Sequence, residues 1–195
     1  MDSSARRGQV ARKTKETDIK INLSLDGGPV AIDSGLGFFD HMLNSLATYA
    51  GWGLELKAEG DLQVDQHHTV EDIGICLGEA LASALGDYSA HARFGSSLTV
   101  MDDALAEVAL DAGRRPFLHF QVTWPQERCG FFELCLVEEF WRALSQKAGL
   151  TLHIIGRHGQ NSHHLVEAVF KGVGRAFSQA LARRAGGVLS TKGLL

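Results

Sequence analysis

In DQHHTVEDIG, residues 65–74, two adjacent histidines precede a glutamate by four and three positions, and NSHHLVEAVF, residues 161–170, repeats the arrangement. On a helix, positions three and four apart share a face. Glu71 can therefore sit beside His67 and His68, and Glu167 beside His163 and His164. The two rings of each pair diverge by about 100° at 3.6 residues per turn. One ion cannot easily take both rings and the carboxylate from one regular helix. Two ions could, with one histidine of each pair facing each metal, the glutamate closing one site, and the duplicated motif supplying the mirror set. Imidazole with carboxylate leaves Zn, Mn, Fe, Co and Ni open, and the lack of thiolates in the motifs argues against a structural zinc finger. The order is not H-E-x-x-H, so a zinc-protease reading fails on spacing. A single HH pair is ordinarily a surface feature, and it is the second copy in register that carries the metal reading.

The chain has nine histidines, so the other five need the same weighing. His41, in FFDHML, follows Asp40, a candidate orienting partner. His91 reads as exposed, and His119 and His158 as structural or solvent-facing. His153 occupies the place of Lys57 in the other repeat, which gives it no support as a ligand.

The elements that must position these residues follow from an internal repeat. At an offset of 96, Leu54 meets Leu150, Gly60 meets Gly156, the HH pairs and their glutamates coincide, and Gly78 meets Gly174. Upstream, GFFDHML (37–43) echoes GFFELCL (130–136) at an offset of 93. IKINLSL (19–25) alternates like a strand and ends in a Gly-Gly-Pro turn. Phe38, Phe39, Met42, Leu43, Leu46 and Ala50 recur at helical spacing, and Gly51 to Gly53 stops that helix. Residues 54–58 read as a strand, and an apolar stripe from Val70 to Ala84 as a second amphipathic helix. In the second half, 98–101, 105–111, 117–123 and 151–155 read as strands, and 131–147 and 165–184 as helices. Four helices and six strands are located, with about eight strands expected in all, and two such halves bury best with the sheets outside and the helices inside.

Composition bounds the function classes. A length of 195 residues suits one domain or two small similar halves. The net charge of −4 gives no basic footprint for nucleic acid. The basic residues Arg6, Arg7, Arg12, Lys13 and Lys15 read as a solvated, frayed end. Three cysteines (Cys76, Cys129, Cys135) without a C-x-x-C favour a reduced, cytoplasmic setting. No run approaches a membrane span, and the first residues lack the apolar stretch of a signal peptide.

The motifs together resemble the imidazoleglycerol-phosphate dehydratase family, the lyases of histidine biosynthesis. The resemblance rests on TKETDIKINLSLDG (14–27), GLGFFDHML (35–43), GDLQVDQHHTVEDIGI (60–75), RFGSSLTVMDDALA (93–106), RRPFL (114–118), TLHI (151–154), NSHHLVEAVFK (161–171) and STKG (190–193). It implies an α/β sandwich built by internal duplication, with a four-helix layer between two four-stranded sheets. The repeats would span approximately 10–92 and 93–187, with a C-terminal phosphate-loop tail at 188–195. It implies two Mn2+ ions per active site and a homo-oligomer of 24 subunits with sites between chains. The ligands it implies are His41, His67, His68, Glu71, His163, His164, Glu167 and the residue at 139. That last position departs from the family pattern: many members have V-E-H-F, and this chain has Val137-Glu138-Glu139-Phe140. Carboxylate suits Mn2+, so Glu139 remains a ligand candidate.

The reaction implied is dehydration of imidazole glycerol phosphate to imidazole acetol phosphate. The hydrogen lost has no neighbouring carbonyl to acidify it. A dimanganese-bound imidazolate would instead expel the adjacent hydroxyl through a diazafulvene-like intermediate. The resemblance points to Glu16 as a substrate-contacting acid/base group, with Glu71 and Glu167 as further proton shuttles. Arg93, Arg115, Lys171, Ser190 and Lys192 are the phosphate-binding candidates. Two rivals are weaker. Bundle di-iron enzymes use Glu-x-x-His, the reverse order. A metal-storage protein or nucleic-acid module has no need of the phosphate-binding cations.

Overall fold

The computed structural model describes residues 5–185, 187 and 189–192. In chain order the elements are β1 (Arg7–Lys13), β2 (Thr17–Ser24), β3 (Val30–Asp33), α1 (Gly37–Ala50), β4 (Gly53–Gly60), α2 (His67–Leu85), β5 (Phe94–Met101), β6 (Ala104–Asp111), β7 (Phe117–Gln121), β8 (Arg128–Cys129), β9 (Phe132–Glu133), α3 (Leu136–Lys147), β10 (Thr151–His158) and α4 (Ser162–Ala180). The first sheet has the order β1-β2-β4-β3 and the second β5-β6-β10-β7. Within each, the last strand pairs parallel to its neighbour and the others antiparallel. The duplication read from the sequence is thus a duplication of topology.

Alternation explains why each sheet has one buried face. Ile19, Ile21 and Leu23 of β2 point inward, as do Ala104, Ala106, Val108 and Leu110 of β6. On these faces α2 rides over β1 and β2, and α4 over β5 and β6. The helices then pack in pairs, α1 with α4 and α2 with α3, to form the layer between the sheets. Phe39, Phe140, Trp141 and Phe170 fill its centre, all at 0% exposure, with Phe140 stacked on Phe170 at 5.8 Å between centroids. Two glycines set the height of the helices. A Cβ at Gly8 would overlap the carbonyl of Ala80, and one at Gly95 that of Ala176, positions 96 apart on α2 and α4.

Four expectations are corrected. The N-terminal basic segment is not frayed. Residues Arg7–Lys13 form β1, and Arg6 is fixed by Asp26 at 2.6 Å. Backbone pairing to β2 and this ion pair order what composition alone made look solvated. The helix expected over 131–147 begins at Leu136, because Gly130 adopts φ +60° and turns the chain into a small β8–β9 hairpin. The last helix runs Ser162–Ala180 rather than 165–184; Arg183 beyond it bridges to His91. His91 is buried at 3% exposure, its Nε2 donating to the Ala112 carbonyl at 3.0 Å. Among the described residues no helix is long and apolar enough to cross a membrane.

Candidate metal centre

The same local chemistry opens both motif helices. Asp65 Oδ1 accepts from the His67 N–H at 2.8 Å, and Asn161 Oδ1 from the His163 N–H at 2.9 Å. Each turn satisfies a backbone donor that a helix start leaves unpaired and fixes where the first histidine emerges.

The two rings of each pair lie nearly perpendicular, with interplanar angles of 87° for His67 and His68 and 81° for His163 and His164. The first ring of each turns to the glutamate one turn on: His67 Nε2 stands 3.4 Å from Glu71 Oε2, and His163 Nε2 3.4 Å from Glu167 Oε2. On the second helix α1 adds a third donor, with His41 Nε2 3.6 Å from the same Glu167 oxygen. His41, His163 and Glu167 each offer an atom within 4.8 Å of the others, the one such triad among the described residues. Phe38 packs edge-on against His163 at 5.3 Å and braces the ring.

Glu167 is 7% exposed, whereas His41 and His163 keep 49% and 45% of their side-chain surface. Burial pushes the Glu167 pKa up. The hydrogen bond and charge of Lys171, with the charges of His41 and His163, outweigh it and leave the pKa below the usual value. Lys171 Nζ holds Oε1 at 2.7 Å, so Oε2 is the oxygen turned to the histidines. Two imidazoles and one carboxylate, with no thiolate, form a donor set that fits a borderline-to-hard divalent ion.

The expected orienting role of Asp40 is corrected. Its carboxylate accepts from the Ser34 N–H at 2.9 Å and the Ser34 hydroxyl, because adjacent helical residues point about 100° apart. In the other half, α3 lies along α2, but Glu139 faces Arg142 at 3.8 Å, and it forms no triad with His67 and Glu71.

The second histidine of each pair turns away from its glutamate. His68 Nδ1 meets Asp61 at 3.0 Å, and its Nε2 lies 3.9 Å from Glu16. His164 Nδ1 meets Asp103 at 2.5 Å, and its Nε2 lies 3.7 Å from Asp102. The Asp61 and Asp103 hydrogen bonds raise the pKa of these two imidazoles against a smaller effect of burial. Glu16 projects from the β1–β2 turn, where Thr14 Oγ1 accepts from its N–H at 3.0 Å and buried Asp72 of α2 accepts from Thr17 Oγ1 at 2.5 Å. Sequence reasoning did not single out Asp61, Asp102 or Asp103. They stand in the quoted GDLQVD and MDDALA stretches, but no spacing rule ties them to histidines 7 and 61 residues away.

The phosphate-binding candidates divide. Lys171 sits beside the triad. Arg93 is at the other end of α4, its N–H bonded to Ala180, and its guanidinium holds Asp111 at 2.7 Å and the Leu189 carbonyl at 2.6 Å. Arg115 is exposed and reaches Asp111 at 3.4 Å. Ser190 Oγ accepts from the Lys192 N–H at 3.2 Å in a turn of the tail. Gly193 of the STKG motif, with 188, 194 and 195 of the expected phosphate loop, lies outside the described residues.

Topology and donors define the class: a duplicated α/β protein with histidine and carboxylate groups at the starts of its two central helices. A family model described as "Imidazoleglycerol-phosphate dehydratase" matches residues 34–177. Dehydratases of that name from Acetivibrio thermocellus and Desulfitobacterium hafniense are 49% and 50% identical to the chain, over 97% of it and 99% and 98% of their own lengths. The crystal structure of imidazoleglycerol-phosphate dehydratase from Staphylococcus aureus superposes with a TM-score of 0.84 at 38% identity, over 91% of this chain and 99% of that one. The Pyrococcus furiosus enzyme, solved with (S)-C348, superposes at 0.85 and 39%, over 95% and 100%. The chain belongs to the imidazoleglycerol-phosphate dehydratase family, carbon–oxygen lyases of histidine biosynthesis.

Proposed function

We propose that the protein dehydrates D-erythro-imidazole glycerol phosphate to imidazole acetol phosphate, with Mn2+, two ions per active site, as its cofactor. The observation that carries the reading is the convergence of His41, His163 and Glu167 from two helices on one point. His67, Glu71 and Glu139 on the paired helices α2 and α3 are the corresponding donors of the other half, and His68 and His164 complete the ligand set. Two Mn2+ ions held by these residues would supply Lewis acidity, which would favour loss of the hydroxyl by the imidazolate, diazafulvene-like route. The protein's own part is orientation and proton traffic. Glu16, half exposed at the mouth of the β1–β2 turn, is positioned to move the proton of the side chain, with Glu71 and Glu167 as the other carboxylates of the site. Lys171 draws the phosphate toward the triad, and Arg93, Arg115, Ser190 and Lys192 hold it.

These groups do not meet in one chain. Arg93 is tied to Ala180, 17 residues along α4 from His163, which is about 25 Å at 1.5 Å per residue. That is far beyond the reach of a three-carbon phosphate. The half-open triad and the distant arginines support sites shared between chains, one chain's metal ligands facing another's phosphate-binding groups, and we propose that the homo-oligomer has 24 subunits. The repeats 10–92 and 93–187, with the tail at 188–195, form the single functional unit of this assembly, and the setting is cytoplasmic.

The test is ligand-dependent stability. Phosphate-bearing imidazole or triazole compounds should raise the melting temperature only with Mn2+ present. Equal stabilisation by inorganic phosphate alone, or none at saturating Mn2+, contradicts the reading.

A further inference from the structure

Each outward-turned histidine is held by an aspartate on Nδ1, while its Nε2 faces a more distant carboxylate, Glu16 at 3.9 Å from His68 and Asp102 at 3.7 Å from His164. Asp61 presents both oxygens to His68 Nδ1, at 3.0 and 3.3 Å, and Asp103 presents one to His164 Nδ1 at 2.5 Å. An ionised carboxylate only accepts hydrogen bonds, so Nδ1 must be the protonated nitrogen and Nε2 the lone pair in a neutral ring. A second contact agrees: the Asn161 amide lies 3.4 Å from His164 Nε2, in position to donate to that lone pair. Among the described residues no such bond fixes Nδ1 of His67 or His163.

We infer that Asp61 and Asp103 are positioning residues, which set His68 and His164 as Nε2 metal ligands by holding the Nδ1–H tautomer and the ring orientation. The repeat makes the case stronger than either contact alone. Asp61 follows β4, and the residue 96 further on is Arg157, which pairs with Glu107 instead. The second half draws its aspartate from the β5–β6 turn. Two different loops therefore deliver the same group to the same nitrogen of equivalent histidines, a coincidence that loop closure does not require. Carboxylate–histidine–metal chains of this kind set ligand tautomer and basicity.

Asp61 is the cleaner subject. Its side chain bonds only His68 among the described residues, whereas Asp103 also accepts from the Gln160 and Asn161 N–H groups. The inference rests on the Mn2+ reading above, and the test separates the two. Mn2+ binding to the full assembled chain is followed by the electron paramagnetic resonance of free Mn2+, for wild type, Asp61→Ala and Asp61→Asn. Asp61→Ala should lose about 10–100-fold in affinity for one of the two ions per chain. Asp61→Asn, which keeps an acceptor but not the charge, should fall between. The melting temperature of metal-free protein should be unchanged in Asp61→Asn, which separates positioning from folding should the alanine variant misfold. Wild-type affinity in both variants overturns this assignment alone. Wild-type protein that binds no Mn2+ overturns the metal reading with it.

Discussion

Lys171 Nζ stands 2.7 Å from Glu167 Oε1, one helical turn along α4. The lysine holds one oxygen of the carboxylate, and the other faces His41 and His163. Burial favours the neutral acid, and the Lys171 hydrogen bond is the largest influence against it. The net shift is downward, so Glu167 stays ionised to a lower pH than an ordinary glutamate. In Lys171→Met the carboxyl pKa should rise, and the acid limb of Mn2+ binding should move to higher pH. A Mn2+ titration repeated from pH 5 to 8 checks it; an unmoved acid limb contradicts the coupling.

Glu139 lies 24 residues before His163, and His41 26 residues before His67, so the two are near-equivalents in the repeat. In the proposed site it is the carboxylate donor of the α2–α3 half, and it should be replaceable only by another ligand. Glu139→Ala should lower Mn2+ affinity at least about 10-fold, and Glu139→His should keep it. Equal Mn2+ isotherms for wild type and Glu139→Ala would show Glu139 to be no more than a partner for Arg142.

His91 makes stability depend on pH. Burial lowers its pKa, and the hydrogen bond to the Ala112 carbonyl only partly opposes this. The unfolded chain therefore takes up its proton first. The contribution is full above about pH 6.5 and is lost as pH falls from there through the depressed folded value. His91→Gln, which keeps a donor for Ala112, should flatten the fall in melting temperature between pH 7 and 5. A slope as steep as wild type would place the titration elsewhere.

Gly8 and Gly95 let α2 and α4 lie on their sheets. Gly8→Ala forces a methyl against the Ala80 backbone and should cost about 1–3 kcal/mol, roughly 3–10 °C in melting temperature for a chain of this size. Thermal denaturation in both variants checks it, and Gly95→Ala should behave alike because the repeat places Ala176 where Ala80 is.

Much of this was legible in the residues. Apolar spacing located all four helices, because amphipathic stripes of 3.6-residue period are long and self-consistent. The buried strands β2, β4, β6 and β10 were legible for the same reason. β1 and β3 were not, because their alternation is between half-buried and exposed positions and leaves little hydrophobic signal. The β8–β9 hairpin was hidden because Phe131 and Phe132 mimic a helical stripe across the turn at Gly130. In the site, the divergence of the two rings followed from helix geometry alone. Which carboxylates would meet the outward rings did not, since Asp61 and Asp103 arrive through tertiary packing. The burial of His91 was likewise a matter of chain reversal, not of local pattern.

The most direct test of the central claim is turnover of imidazole glycerol phosphate by metal-stripped protein, with Mn2+ added back, beside His163→Ala and Glu167→Ala. Imidazole acetol phosphate should form only when Mn2+ is restored, with a loss of at least about 100-fold in both variants while they stay folded and assembled. Metal-independent turnover, or full activity in either variant, would contradict it.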